Sequence, residues 1–245
     1  MNSFFSEVRQ TLAPDVQSPH GPLTPLLIAM TFVTGLVDAF SYLVLGHVFV
    51  ANMTGNVVFL GFALAGAPDF SILDSFVALV SFGFGALAGG RLGSQLGHDR
   101  GKHLSTAATI QGVFLAAAVV LAVVSVSAIA AEYHYVLILV LGMSMGIQNA
   151  TARKLGVPDM TTTVLTLTIT GIGADSTLVG GKGSLAGRRF IAIAAMLAGA
   201  VVGATLIVHL NVVYPLVIAL VLVLLVAAAT RVLGASDAVW VHAKS

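Results

Sequence analysis

Six apolar runs, each long enough to cross a lipid bilayer as a helix, leave this chain one class of fold. They cover approximately residues 25–46, 75–96, 106–128, 133–153, 190–210 and 213–233, and a hydrocarbon core of ~30 Å needs about 20 helical residues. Inside that core no water satisfies a peptide N–H or C=O, so lipid-exposed spans must be helical. Composition agrees. Hydrophobic residues make up 58% of the 245 and charged ones 9%, and the mean hydropathy is +1.01, whereas soluble domains are roughly a quarter charged. The balance of 11 Lys+Arg against 10 Asp+Glu leaves no basic field for nucleic acid. The absence of cysteine removes disulfides, thiol nucleophiles and thiolate metal sites. Residues 1–22 carry Glu7, Arg9, Asp15 and three prolines but no apolar stretch, so they read as a mobile polar cytoplasmic tail and not as a signal peptide. Residues 23–233 then form a single transmembrane domain. Residues 234–245 form a C-terminal tail whose lone Trp240 suits a membrane interface.

Two apolar pieces are left over, about residues 47–67 and 156–174. Each begins with polar, glycine- or proline-bearing sequence: Val50-Ala51-Asn52-Met53-Thr54-Gly55-Asn56 in the first, Val157-Pro158-Asp159-Met160-Thr161-Thr162-Thr163 in the second. Each follows a similar span end, Gly35-Leu36-Val37-Asp38-Ala39 and Gly146-Ile147-Gln148-Asn149-Ala150. Downstream, Phe76, Ala78, Gly85 and Gly89 are matched by Phe190, Ala192, Gly199 and Gly203 at one constant offset. The chain therefore reads as two repeats, about 24–128 and 133–233. Paired short, interrupted apolar segments at matching places in two repeats point to a transporter binding site, because irregular backbone at membrane depth must line a cavity. About six extended residues at ~3.3 Å each reach some 20 Å, and about 13 helical residues at ~1.5 Å return the same distance. Each piece thus fits a re-entrant hairpin, a strand followed by a half-helix. The same lengths fit a single discontinuous crossing, which would give eight spans.

Charge placement favours six. With a cytoplasmic N-terminus, residues 98–103, Arg153-Lys154, Lys182, Arg188-Arg189 and Arg231 all fall on one side, while Asp69, Asp74, Glu132 and His134 fall on the other, as the positive-inside rule asks. Eight spans would separate the 98–103 cluster from Arg188-Arg189. The expected fold is all-α and polytopic, six transmembrane helices as two three-helix repeats. An odd number of spans per repeat inverts the second repeat, so the hairpins enter from opposite faces and meet near the midplane. The segments Thr34-Gly35-Leu36-Val37-Asp38-Ala39-Phe40-Ser41-Tyr42, Asn52-Met53-Thr54-Gly55-Asn56 and Gly146-Ile147-Gln148-Asn149-Ala150 resemble the YoaK family of bacterial membrane proteins, domain of unknown function 1275. The resemblance covers about residues 24–233. It implies an inner-membrane protein of about this size and brings no activity with it.

Asp38 is the sharpest candidate site residue. It lies thirteen positions into the first span, where a charged carboxylate costs roughly 2.5 to 3.5 kcal/mol. It is either a proton- or cation-binding group or a buried hydrogen bonder that holds the start of the hairpin. Its repeat counterpart is the uncharged Asn149. The hairpin tips offer Asn52, Thr54 and Asn56 on one side and Asp159, Thr161, Thr162 and Thr163 on the other. These residue types cap helices, and a half-helix N-terminus aimed at a cavity also presents N–H donors to an anionic or polar ligand. Gln148 and Asn149 suit a cavity wall. Arg153 and Lys154 read as snorkelling cations that fix topology, with an anion site or a pairing of Arg153 with Asp159 as the alternative. Gly85, Gly89, Gly199 and Gly203 suit close helix packing.

Enzyme signatures are missing. The seven histidines lie in tails, loops or span ends without His-x-x-x-His spacing, so no metal site, catalytic group or cofactor is expected. Gly180-Gly181-Lys182-Gly183-Ser184 departs from the phosphate-loop pattern and reads as a flexible connector. The expected function is a small-solute or ion permease in a bacterial inner membrane. Its partners would be the lipid bilayer, an unknown solute or ion and, for a bundle this small, a second copy. A passive channel and a non-transporting assembly protein are the alternatives.

Overall fold

The computed structural model describes residues 2–15, 17–124, 131–160, 162–163, 165–176, 180, 185–235 and 238–242. Ten helices follow one another among them: α1 (Asn2–Leu12), α2 (Leu23–Val44), α3 (Met53–Leu64), α4 (Ile72–Leu96), α5 (Arg100–Val124), α6 (Ala131–Leu155), α7 (Leu165–Ala174), α8 (Ala186–His209), α9 (Tyr214–Leu233) and α10 (Val239–His242). Six are long and apolar enough to cross a membrane, namely α2, α4, α5, α6, α8 and α9, while α3 and α7 are shorter apolar helices. No strand occurs among the described residues, so the extended half expected of each hairpin is irregular backbone, not β-structure. Local chemistry sets the helix starts. Asn52 accepts the Gly55 N–H at 3.3 Å and Ser71 accepts the Asp74 N–H at 3.2 Å, two N-caps.

Two helix pairs form the frame, α2 on α8 and α6 on α4. Small residues set their closeness. A methyl group added at Gly35 would overlap the Met196 carbonyl and one at Gly199 the Phe32 carbonyl, while one at Gly146 would overlap the Phe82 carbonyl and one at Gly85 the Met143 carbonyl. Gly203 sits on Ala39 and Gly89 on Ala150. Such backbone-to-backbone contact is the usual means of packing helices in lipid, where no hydrophobic force drives them together. α2 and α6 are the most enclosed spans, with Leu27, Val33, Leu36, Val37, Phe40, Leu137, Ile138, Leu141 and Met145 buried. Outward faces carry Phe76, Phe84, Leu87, Val113, Leu197, Val201 and Leu225 exposed, the pattern of helices solvated by hydrocarbon.

The two ends of the bundle differ in charge. Arg100, Lys102, Arg153, Lys154, Arg188, Arg189 and Arg231 gather where α4, α6 and α9 finish and α2, α5 and α8 begin. At this basic end Arg100, 2% exposed, donates to the carbonyls of Pro19 (2.9 Å), Leu155 and Trp240 (3.5 Å). At the other, acidic end, the Asp74 carboxylate lies 3.2 Å from His134 Nε2. Tyr42, Phe49, Phe59 and Phe70 stack in series beside α3.

Both tails depart from expectation. Residues 2–12 are helical, and α1 is docked on α8, with Glu7 Oε2 accepting the Gly187 N–H at 3.0 Å. The carboxylate caps the positive start of α8, where Leu185 in a left-handed conformation (φ 44°) provides no side-chain cap. Trp240 does not face an interface. It is fully buried against Gly21 and Gly101, because the small residues there leave a slot the indole fills. Lys182, with most of the expected glycine-rich connector, lies outside the described residues.

Candidate functional site

Asp38 faces the irregular segment that leads into α3. Its Oδ1 accepts the N–H groups of Val50 (3.2 Å) and Ala51 (2.9 Å), so an α2 side chain anchors backbone that has no helical partner of its own. Its Oδ2 is buried with no partner, and the residue is 5% exposed. Asn149 does the corresponding work on α6: its Oδ1 accepts the Thr163 hydroxyl and its Nδ2 donates to the Met145 carbonyl at 3.2 Å.

Depth follows from one bond. Gln148 Nε2 donates to Thr34 Oγ1 at 2.9 Å and to the Met30 carbonyl at 3.2 Å, which sets α2 and α6 level at these residues. Asp38 lies one turn, ~6 Å, beyond Thr34 toward the acidic end, and Asn149 ~1.5 Å beyond Gln148 toward the basic end. The two anchoring side chains are therefore within about 8 Å of each other in depth, well inside the bundle.

The remaining expected site residues divide. Asn52 stands at the head of α3 as its N-cap. Thr54 is exposed on the first turn of α3. Asn56 closes the turn: its Oδ1 accepts the Phe49 N–H at 2.9 Å and its Nδ2 donates to the Phe49 carbonyl. Gln148 is buried and bonded within the core. Its Oε1 accepts from Gln111 Nε2 at 2.6 Å, so three helices share one amide. Thr162, with φ 62°, is buried with its hydroxyl unpartnered, and Thr161 lies outside the described residues.

Asp159 is paired with a cation. It sits in the loop just after α6 with φ 61° and accepts from Arg189 Nε at 2.9 Å, while Arg189 Nη2 reaches Asp175 Oδ2 at 2.7 Å. The cation on Asp159 is thus Arg189 in the first turn of α8, not Arg153. Arg153 and Lys154 are exposed at the end of α6. The residue placed like Asn52 is Thr163, which follows Asn149 by 14 residues as Asn52 follows Asp38.

Sequence reasoning passed over Gln111. A single amide in an apolar run carried the signal, but its partner is 37 residues away. Ser144, Gln148 and Thr151 share one face of α6 at helical spacing, and the hydroxyls of Ser144 and Thr151 are buried without partners, as is Gln111 Oε1. Cavities among the described residues lie elsewhere. One of about 300 Å³ at the basic end is walled by Gln10, Asp15, His20 and Arg188 among others. The second, about 320 Å³, opens on α4, α5 and α6 around Arg91. Neither has Asp38, Asn52 or Thr163 in its wall. Burial, with Arg100 and Arg188 nearby, holds His20 below the usual histidine range. Burial alone would raise Asp99, but the Lys102 N–H and ammonium outweigh it and hold the carboxyl low.

The family model described as protein of unknown function, DUF1275, matches residues 26–229. The chain belongs to the DUF1275 family. The DUF1275 match reaches from within α2 to within α9 and includes Asp38 and Asn149. Over 155 residues the chain is 36% identical to the UPF0700 transmembrane protein YoaK of Bacillus subtilis (strain 168), an overlap covering 61% of this chain and 65% of that protein. The aligned part thus spans about two-thirds of the Bacillus protein's length. No solved structure matches.

Proposed function

We propose that this DUF1275 chain is a small-solute or ion permease in which Asp38 binds the proton or cation and the backbone entering α3 and α7 frames the site. The observation that carries the reading is the second oxygen of Asp38. A structural anchor needs one acceptor, and Oδ1 serves that role for Val50 and Ala51. Oδ2, buried and unpartnered, is left with capacity for a proton or a cation. Such a group inside a membrane bundle costs several kcal/mol and is a functional-site hypothesis for that reason.

The reading includes two inverted three-span repeats, each with a re-entrant hairpin, in a bacterial inner membrane with both termini cytoplasmic. It is supported by the recurrence of one contact set, α2 on α8 and α6 on α4 through matching glycines. It is supported also by the like attachment of the two loops to Asp38 and Asn149. Orientation rests on the cations collected at the end where both tails dock.

Coupling follows from the carboxylate's two oxygens. A hydrogen bond to an ionised acceptor is about twice as strong as one to a neutral acceptor. A proton or cation taken up at Oδ2 withdraws charge from Oδ1 and loosens its hold on the Val50 and Ala51 N–H groups. Occupancy is thereby tied to the position of the loop ahead of α3, as alternating access requires.

A thermal-stabilisation screen of the purified protein against small solutes supplies a substrate, and uptake into reconstituted vesicles then tests the role. Asp38→Asn keeps shape and hydrogen bonding, as Asn149 does in its own loop. The variant is expected to insert and fold but to lose gradient-dependent uptake. Unchanged dependence on the gradient would sink the coupling role. Flux indifferent to the gradient in both proteins points to a channel, and a variant that fails to accumulate points to an assembly protein with a structural carboxylate.

A further inference from the structure

The cavity around Arg91 is graded along the membrane normal. Arg91 and Gln95 of α4 stand at its upper part, ~7.5 Å and ~1.5 Å from the helix end at Leu96, and both are exposed. Ile110 and Phe114 of α5 and Met143 and Ile147 of α6 line the remainder. Counting from the basic ends of their helices, these four lie some 12 to 21 Å in, toward the bilayer centre. A guanidinium and an amide therefore stand above an apolar slot, with the order of polarity that a phospholipid has between head and chain.

Arg91 also lacks a counter-ion. Among the described residues none pairs with its guanidinium, and the acids at this end make their contacts elsewhere. Glu7 accepts from Gly187, Asp15 from Gln17 and Asp99 from Lys102, while Asp159 and Asp175 share Arg189. No acid is among the residues that line the cavity. An arginine held below the end of its span extends toward the headgroup layer, where the available anion is a lipid phosphate. Basic pockets between transmembrane helices suit anionic headgroups.

We propose that the Arg91 cavity is a binding site for an anionic phospholipid of the leaflet at the basic end, its phosphate on Arg91 and Gln95 and one acyl chain along Ile110, Phe114, Met143 and Ile147. The site is independent of Asp38 and of transport. The probe is phosphatidylglycerol with a photoreactive acyl chain, compared with phosphatidylcholine carrying the same chain, in vesicles containing the full protein. Mass spectrometry locates the cross-links. Phosphatidylglycerol is expected to label residues 110–114 and 143–147 in preference to phosphatidylcholine. Arg91→Gln is expected to lower that labelling about fivefold, roughly the factor one basic side chain near an anionic surface contributes. Arg91→Lys should retain most of it, and Arg231→Gln, whose arginine is bonded to Thr109 on another face, should leave it unchanged. Equal labelling by the two lipids, or an Arg91→Gln variant labelled as strongly as the parent, would each overturn the assignment.

Discussion

At Gln148 a single carboxamide joins α2, α5 and α6, giving to Thr34 and Met30 and receiving from Gln111. Removing Gln148 strands Gln111, while the Thr34 hydroxyl keeps its bond to the Met30 carbonyl at 3.1 Å. Gln148→Leu leaves the Gln111 amide buried without that acceptor and is expected to cost about 1 to 3 kcal/mol of unfolding stability. The double variant Gln111→Leu/Gln148→Leu should recover part of that loss, because it removes the group left over. Equilibrium unfolding in mixed micelles measures both, and a double variant less stable than the single one would show that packing, not pairing, sets the energy. Asp38 was legible in the sequence because a carboxylate inside an apolar run has few bland explanations. Gln111 was not, since one amide forms no pattern. Thr163 as the partner of Asn149 was not legible, because Asp159 and Asn52 are both good capping residues and draw the comparison to themselves. What places a loop tip is its distance from Asn149 along the chain, a quantity that residue chemistry does not reveal.

Among the elements, length and apolarity were enough to read all six spans and the two short helices, whose ends moved by only a few residues. The strand halves were not readable, because irregular backbone held by side chains looks extended in sequence without any ladder to pair with. α1 was missed too: its polar residues suggested a tail, and only docking of Glu7 on the start of α8 gives it a place. The short helices carry a sharp prediction. α3 and α7 span about 18 Å and about 15 Å, half a bilayer, so α7 should return to the face from which its loop entered. A cysteine replacing Asp175, which follows α7 and has a half-exposed side chain, should react with an impermeant thiol reagent from the same side as one replacing Lys102. Labelling from opposite sides would make α7 a crossing and the bundle eight-span.

For the whole molecule, the basic end is where separate parts of the chain become one body. Trp240 fills the slot between Gly21 and Gly101, while Arg100 ties Pro19, Leu155 and Trp240 together. Trp240→Ala is expected to cost about 3 to 5 kcal/mol, the usual range for emptying a buried aromatic site. The acidic end should keep its arrangement. A melting midpoint within a degree of the parent would mean that the indole is held but holds nothing. The order of synthesis gives this contact a further meaning. Chains fold from the N-terminus as they are made, and α10 emerges after every span has entered the bilayer. The protein is therefore inserted before it is locked. A chain interrupted ahead of residue 240 would sit in the membrane with all six helices and an open seam at its charged end, so proteolysis there would sort finished molecules from unfinished ones.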